Sequence, residues 1–103
     1  CNYIVLFDSR AEGFETEDLL WLAAANTDPS RDIALCNNKI VVDARVKIPG
    51  KDGNPARFPN VVTSTPEVIE AVDKRWEEYG IGEFIASPSL KYRKLTFNDK
   101  AEW

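Results

Sequence analysis

Histidine is absent from the 103 residues, and so is methionine. Without imidazole, no Ser-His or Cys-His pair and no histidine-ligated metal site can be built within the chain. Two cysteines occur, Cys1 and Cys36, at no metal-binding or redox spacing. Free thiols in a reducing, cytoplasmic setting are expected, with a disulfide as the alternative. No apolar run approaches the roughly 20 residues that cross a bilayer, and no signal-peptide pattern is present, so no membrane partner is expected. The formal charge is -4, and phosphate contacts need clustered Lys and Arg; nucleic acid is not an expected partner either. A chain that opens on Cys1 and holds no methionine is expected to be a piece of something longer.

What is present suits a soluble globular domain: 44% hydrophobic and 29% charged residues. A chain of this size buries roughly 60–70% of its unfolded surface, enough for one core without staples. Tyr3-Ile4-Val5-Leu6-Phe7 is a short, β-branched and aromatic run that fits a strand covered on both faces. After a polar loop, Thr16 can cap a helix over 17–26, with Glu17 and Asp18 at the positive end of its dipole. The seven apolar residues Leu19-Leu20-Trp21-Leu22-Ala23-Ala24-Ala25 leave that helix no polar face, so it is expected to be covered on most sides. Pro29 forbids its continuation. Ile33-Ala34-Leu35-Cys36 reads as a second buried strand, Asn37-Asn38 as a tight turn, and residues 39–44 as a third strand paired with the second. Strand, helix, strand is a β-α-β unit, parallel if its strands are neighbours.

The turn after the first strand holds one glycine and two acidic residues, a poor cradle for the phosphates of a dinucleotide. A long breaker-rich loop spans 49–60. With Arg45, Lys47, Lys51 and Arg57 it is locally basic, either as a solvated loop or as a contact for an anionic group or a partner subunit. Thr65 with Pro66, or Ser64 with Glu67, starts an amphipathic helix that should run to Tyr79 and stop at Gly80. Val68, Ile69, Val72, Trp76 and Tyr79 form its apolar stripe, with Trp76 as a core anchor. The expected class is α/β: a small mixed sheet on a β-α-β unit, a second amphipathic helix and an extended C-terminal arm. The α/β domain is assigned to 1–82 and the tail, or interface arm, to 83–103.

Carboxylates are plentiful, but Glu15, Glu17, Asp18, Glu77 and Glu78 sit where solvated helix charges belong. Asp28, Arg31 and Asp32 read as a self-satisfied turn, or alternatively as an interface ion pair; Ser30 has no base to activate it. No catalytic, cofactor-binding or metal-binding residue is assigned. The alternative is a stand-alone enzymatic or small-ligand-binding β-α-β domain using Asp28, Arg31 and Asp43 at strand ends.

Three stretches together resemble the C-terminal domain of the UbiD-like, prenylated-flavin-dependent (de)carboxylases of aromatic and unsaturated acids. Residues 18–32 are similar to the family's Trp-Ala helix followed by an Asp-Pro-x-Arg-Asp turn, here Asp28-Pro29-Ser30-Arg31-Asp32. Val42-Asp43-Ala44 resembles its Asp-Ala-Thr segment, with Arg45 in the threonine's place. The third stretch is Phe58-Pro59 with the helix that ends at 72–81. The run Ser87-Pro88-Ser89-Leu90-Lys91-Tyr92-Arg93 is similar to the phenylphosphate-carboxylase-like branch. The resemblance implies that prenylated FMN, its divalent metal and the Glu-Arg-Glu catalytic set lie in regions of the parent enzyme outside these residues. This domain would build the subunit interface and act as a lid, by self-association as a homo-oligomer, by contact with the flavin-binding part, or by both.

Overall fold

Tyr3–Leu6 forms β1, Ile33–Cys36 forms β2 and Lys39–Asp43 forms β3, joined into one mixed sheet of order β1-β3-β2. A computed structural model describes residues 2–51, 53–55 and 57–98 of the chain; Cys1 and the last five residues lie outside them. The fold is a small α/β architecture, and the chain divides into two compact units, Cys1–Ala56 and Arg57–Trp103.

In the first unit, the helix α1, Thr16–Asn26, follows β1 and leads to β2. The chain then turns at Asn37 and Asn38, whose φ angles of 49° and 62° are the left-handed pair that a two-residue hairpin needs. The hairpin returns β3 between the two earlier strands. β3 is therefore antiparallel to β2 and parallel to β1, with Tyr3 opposite Ile40 and Leu6 opposite Asp43. The parallel neighbour of β1 is the third strand, not the second, and β1 and β2 are the two sheet edges. The helix start also differs from expectation. Glu15 occupies the cap position and its backbone N–H donates to the Asp18 carboxylate (3.2 Å), while Thr16 is the first helical residue.

Burial departs from the sequence expectation in both strands and helix. Directly opposed residues share a sheet face, so the register gathers Tyr3, Val5, Ile33, Leu35, Ile40 and Val42 on one side. Tyr3, Val5, Ile33 and Leu35 are all exposed, Leu35 by 80%. On α1, Leu22 is buried but Leu20 and Trp21 are exposed. The physical reason is a shortage of layers. Two buried sheet faces require cover on both sides, and the described part of this unit supplies one α-helix. The buried positions of α1, Asp18, Leu22 and Asn26, fall four residues apart and make one narrow stripe.

The second unit carries α2, Pro66–Lys74, capped by the Thr65 hydroxyl, which accepts from the Val68 N–H (3.3 Å). The helix stops earlier than its apolar spacing predicts. After Arg75 the chain tightens into a 3-10 turn over Trp76–Tyr79 and ends on left-handed Gly80. Trp76 is half-buried: its indole N–H donates to the Gly82 carbonyl (3.0 Å) and its ring meets Phe84 edge to face at 5.5 Å. The C-terminal stretch is folded and not wholly extended. Ser89–Tyr92 forms α3, followed by a 3-10 turn over Arg93–Leu95, and Leu95 is completely buried. Arg93 donates to the Ser64 carbonyl (2.9 Å), Ser64 N–H to the Ser89 hydroxyl (2.9 Å), and the Asn60 amide to the Asn98 carbonyl (2.9 Å). The stretch thus finds its partners within residues 60–64.

Leu22→Ala should cost about 2–5 kcal/mol, because that side chain is enclosed and its loss leaves a cavity. Leu35→Ala should stay within about 0.5 kcal/mol when measured on the monomeric chain. Urea unfolding of the two variants measures the contrast.

Candidate functional site

Three passages of the first unit meet at one end of the sheet. β1 leaves there through Phe7 and Asp8, β3 leaves through Ala44 and Arg45, and the turn at 28–32 enters β2. Backbone bonds fasten them: Ala44 N–H donates to the Leu6 carbonyl (2.9 Å) and Asp43 N–H to the Asp32 carbonyl (2.8 Å). The Asp8 carboxylate accepts the Val46 N–H (2.7 Å) and pairs with Arg10 (2.7 Å).

Lys47 is the centre of this cluster and is 4% exposed. Its ammonium donates to the carbonyls of Asn26 (2.8 Å) and Asp43 (2.6 Å), with the Asp32 carboxylate at 3.6 Å. Burying an ammonium costs several kcal/mol unless hydrogen bonds and a counter-charge replace its water. Here two carbonyls and a carboxylate do so. The Asn26 side chain, also buried, donates to the Ala44 carbonyl (3.0 Å), so α1, β3 and the 44–47 segment are tied through one lysine and one asparagine. Lys47 is thereby removed from the solvated basic loop to which its position in the sequence assigns it.

The charged residues singled out at the strand ends do not converge on one pocket. Asp28 accepts from the Ser30 N–H (2.8 Å) and hydroxyl (2.6 Å), and those bonds hold its carboxyl below the usual range. Arg31 is committed to Asp32 through two bonds of 2.8 and 2.5 Å. That guanidinium is the main reason the Asp32 carboxyl is held low. Asp43 accepts two guanidinium bonds from Arg45, of 2.9 and 2.8 Å, and is pushed down to about 2, first of all by that contact. The turn reading of Asp28 and Arg31 is the one the structure realises; Asp43 lines a cleft.

That cleft measures about 290 Å³ and is lined by Asp8, Arg10, Asp43, Arg45, Lys47 and Lys51, among others. The burial of Lys47 and the bond from Val46 N–H to Asp8 are not legible in the sequence, because Asn26 and Asp8 lie 21 and 38 positions from their partners. The one local signal was the i,i+4 spacing of Asp43 and Lys47, whose charged atoms are 3.9 Å apart. Cys36 is a free, exposed thiol, and Cys1 lies outside the described residues. Among the described residues no three His, Cys, Asp or Glu side chains gather as a metal ion requires. No helix among them is long and apolar enough to cross a membrane.

Lys47→Met should cost about 3–5 kcal/mol, since it leaves buried acceptors without a donor, while Lys51→Met should stay within about 0.5 kcal/mol. Equilibrium urea unfolding separates the two. Asp43 has a folded pKa of about 2 against an ordinary 3.8, so its contribution is complete above pH 4 and fades as pH falls from there to 2. Asp43→Asn should flatten the urea midpoint against pH in that window.

No family model matches the chain. It is 26% identical to an uncharacterized protein of Aquifex aeolicus over 96 residues, covering 78% of this chain and 20% of the relative. An uncharacterized protein of Aeropyrum pernix is 25% identical over 95 residues, covering 76% and 19%. One of Synechocystis is 22% identical over 99 residues, covering 80% and 19%. The chain spans about a fifth of the length of these curated relatives.

Proposed function

We propose that this chain is the oligomerisation and lid portion of a UbiD-like non-oxidative (de)carboxylase of aromatic or unsaturated acids, with no catalytic centre of its own. It acts as a fragment or as a separate small subunit, by association with a second copy, with the flavin-binding part of the enzyme, or with both. The observation that carries the reading is the apolar side of the sheet, where Tyr3, Val5, Ile33 and Leu35 stand in solvent. Apolar surface presented on one face of a sheet is the mark of an interaction site. The share of the relatives that the chain spans supports a larger polypeptide as the working unit.

Prenylated FMN and its divalent metal belong, in this reading, to the rest of the enzyme. The described residues offer no cluster of ligating side chains that fits the metal, and no step of the chemistry is assigned to them. The exposed free thiol of Cys36 accords with a cytoplasmic setting.

Size-exclusion chromatography with light scattering should show self-association of the isolated chain, and incubation with prenylated FMN should leave it colourless. Leu35→Lys should shift the mass toward the monomer with an unchanged far-ultraviolet spectrum. A strict monomer at high concentration, or flavin retained by the chain alone, would overturn the proposal.

A further inference from the structure

The cleft at the carboxyl ends of β1 and β3 has no role in the reading above. Four cationic side chains line it, Arg10, Arg45, Lys47 and Lys51, against two carboxylates, Asp8 and Asp43. In a chain of formal charge -4, that local excess of positive charge needs an account. Lys47 is balanced by Asp32 and by carbonyls, and Arg10 is held by Asp8. Arg45 spends its Nε and Nη2 edge on Asp43, which fixes the guanidinium plane and leaves Nη1 directed elsewhere. The Lys51 ammonium has no ion-pair partner among the described residues. The carboxyl ends of parallel strands are also where open α/β sheets take ligands.

We propose that this cleft binds a small dianionic oxyanion, held by Arg45 and Lys51 with Arg10 adding to the field. A cleft of about 290 Å³ has ample room for one such group. A guanidinium whose plane is already set by Asp43 loses little freedom on binding, and a planar fork suits carboxylate and phosphate oxygens alike. With Lys47 balanced by Asp32, the oxyanion offsets the charge of Lys51, the one left over among the described cationic lining side chains. Its source is either a phosphate group or a dicarboxylate, and the geometry of a fork and an ammonium serves both.

Titration of the full chain with inorganic phosphate and, separately, with malonate tests this, against sodium chloride at matched ionic strength. The readout is the amide chemical shifts of Arg45, Val46, Lys47 and Lys51. Saturable shifts with either dianion are expected, and the tighter of the two identifies the source. Lys51→Glu should weaken binding by about tenfold or more, whereas Lys51→Arg should retain it, both with unchanged circular dichroism. Shifts no larger than those of chloride, or undiminished binding by Lys51→Glu, would overturn the proposal. The oligomeric state is read independently by light scattering, so either proposal can fail alone.

Discussion

A buried ammonium holds the first unit together. Lys47 bonds to the last residue of α1, to the end of β3 and, through charge, to the turn that opens β2. Hydrophobic burial alone would not fix these three passages, because few apolar side chains among the described residues of this unit are enclosed: Ala11, Leu22 and Ala44. Polar bonds supply the specificity that so small a core lacks, and they do so only while every partner is present. The same set of bonds brings Asp8, Asp43 and Arg45 to one end of the sheet, so the cleft there is a consequence of how the unit is fastened.

The surface tells the complementary story. A three-stranded sheet whose edge strands read as buried strands is presented with most of their side chains in solvent, and the helix beside it in sequence exposes Leu20 and Trp21. Such a surplus of apolar area is costly to leave in water, roughly 25 cal/mol per Å². Placing it against another surface recovers that free energy, which is why the proposed role is one of assembly. The second unit behaves differently. Its terminal stretch closes on residues 60–64 with hydrogen bonds from Arg93, Ser64 and Asn60, and it encloses Leu95.

The local elements are legible in the residues themselves. The β2 span, the Asn37-Asn38 turn, the end of α1 before Pro29 and the Thr65-Pro66 start of α2 all follow from residues within a few positions of each other. Such signals act through backbone dihedrals and orphan N–H groups, which neighbours in sequence satisfy. Tertiary structure decided the strand order, the burial and the site. A hairpin that inserts β3 beside β1 depends on contacts 37 positions apart, as Tyr3 opposite Ile40, and alternation cannot reveal it. In Arg45-Val46-Lys47-Ile48 the charged and apolar residues alternate, so either set could face inward; Lys47 does, and Ile48 is exposed. That inversion exists because the acceptors waiting inside, Asn26 and Asp43, are backbone carbonyls, and no side-chain pattern announces a carbonyl.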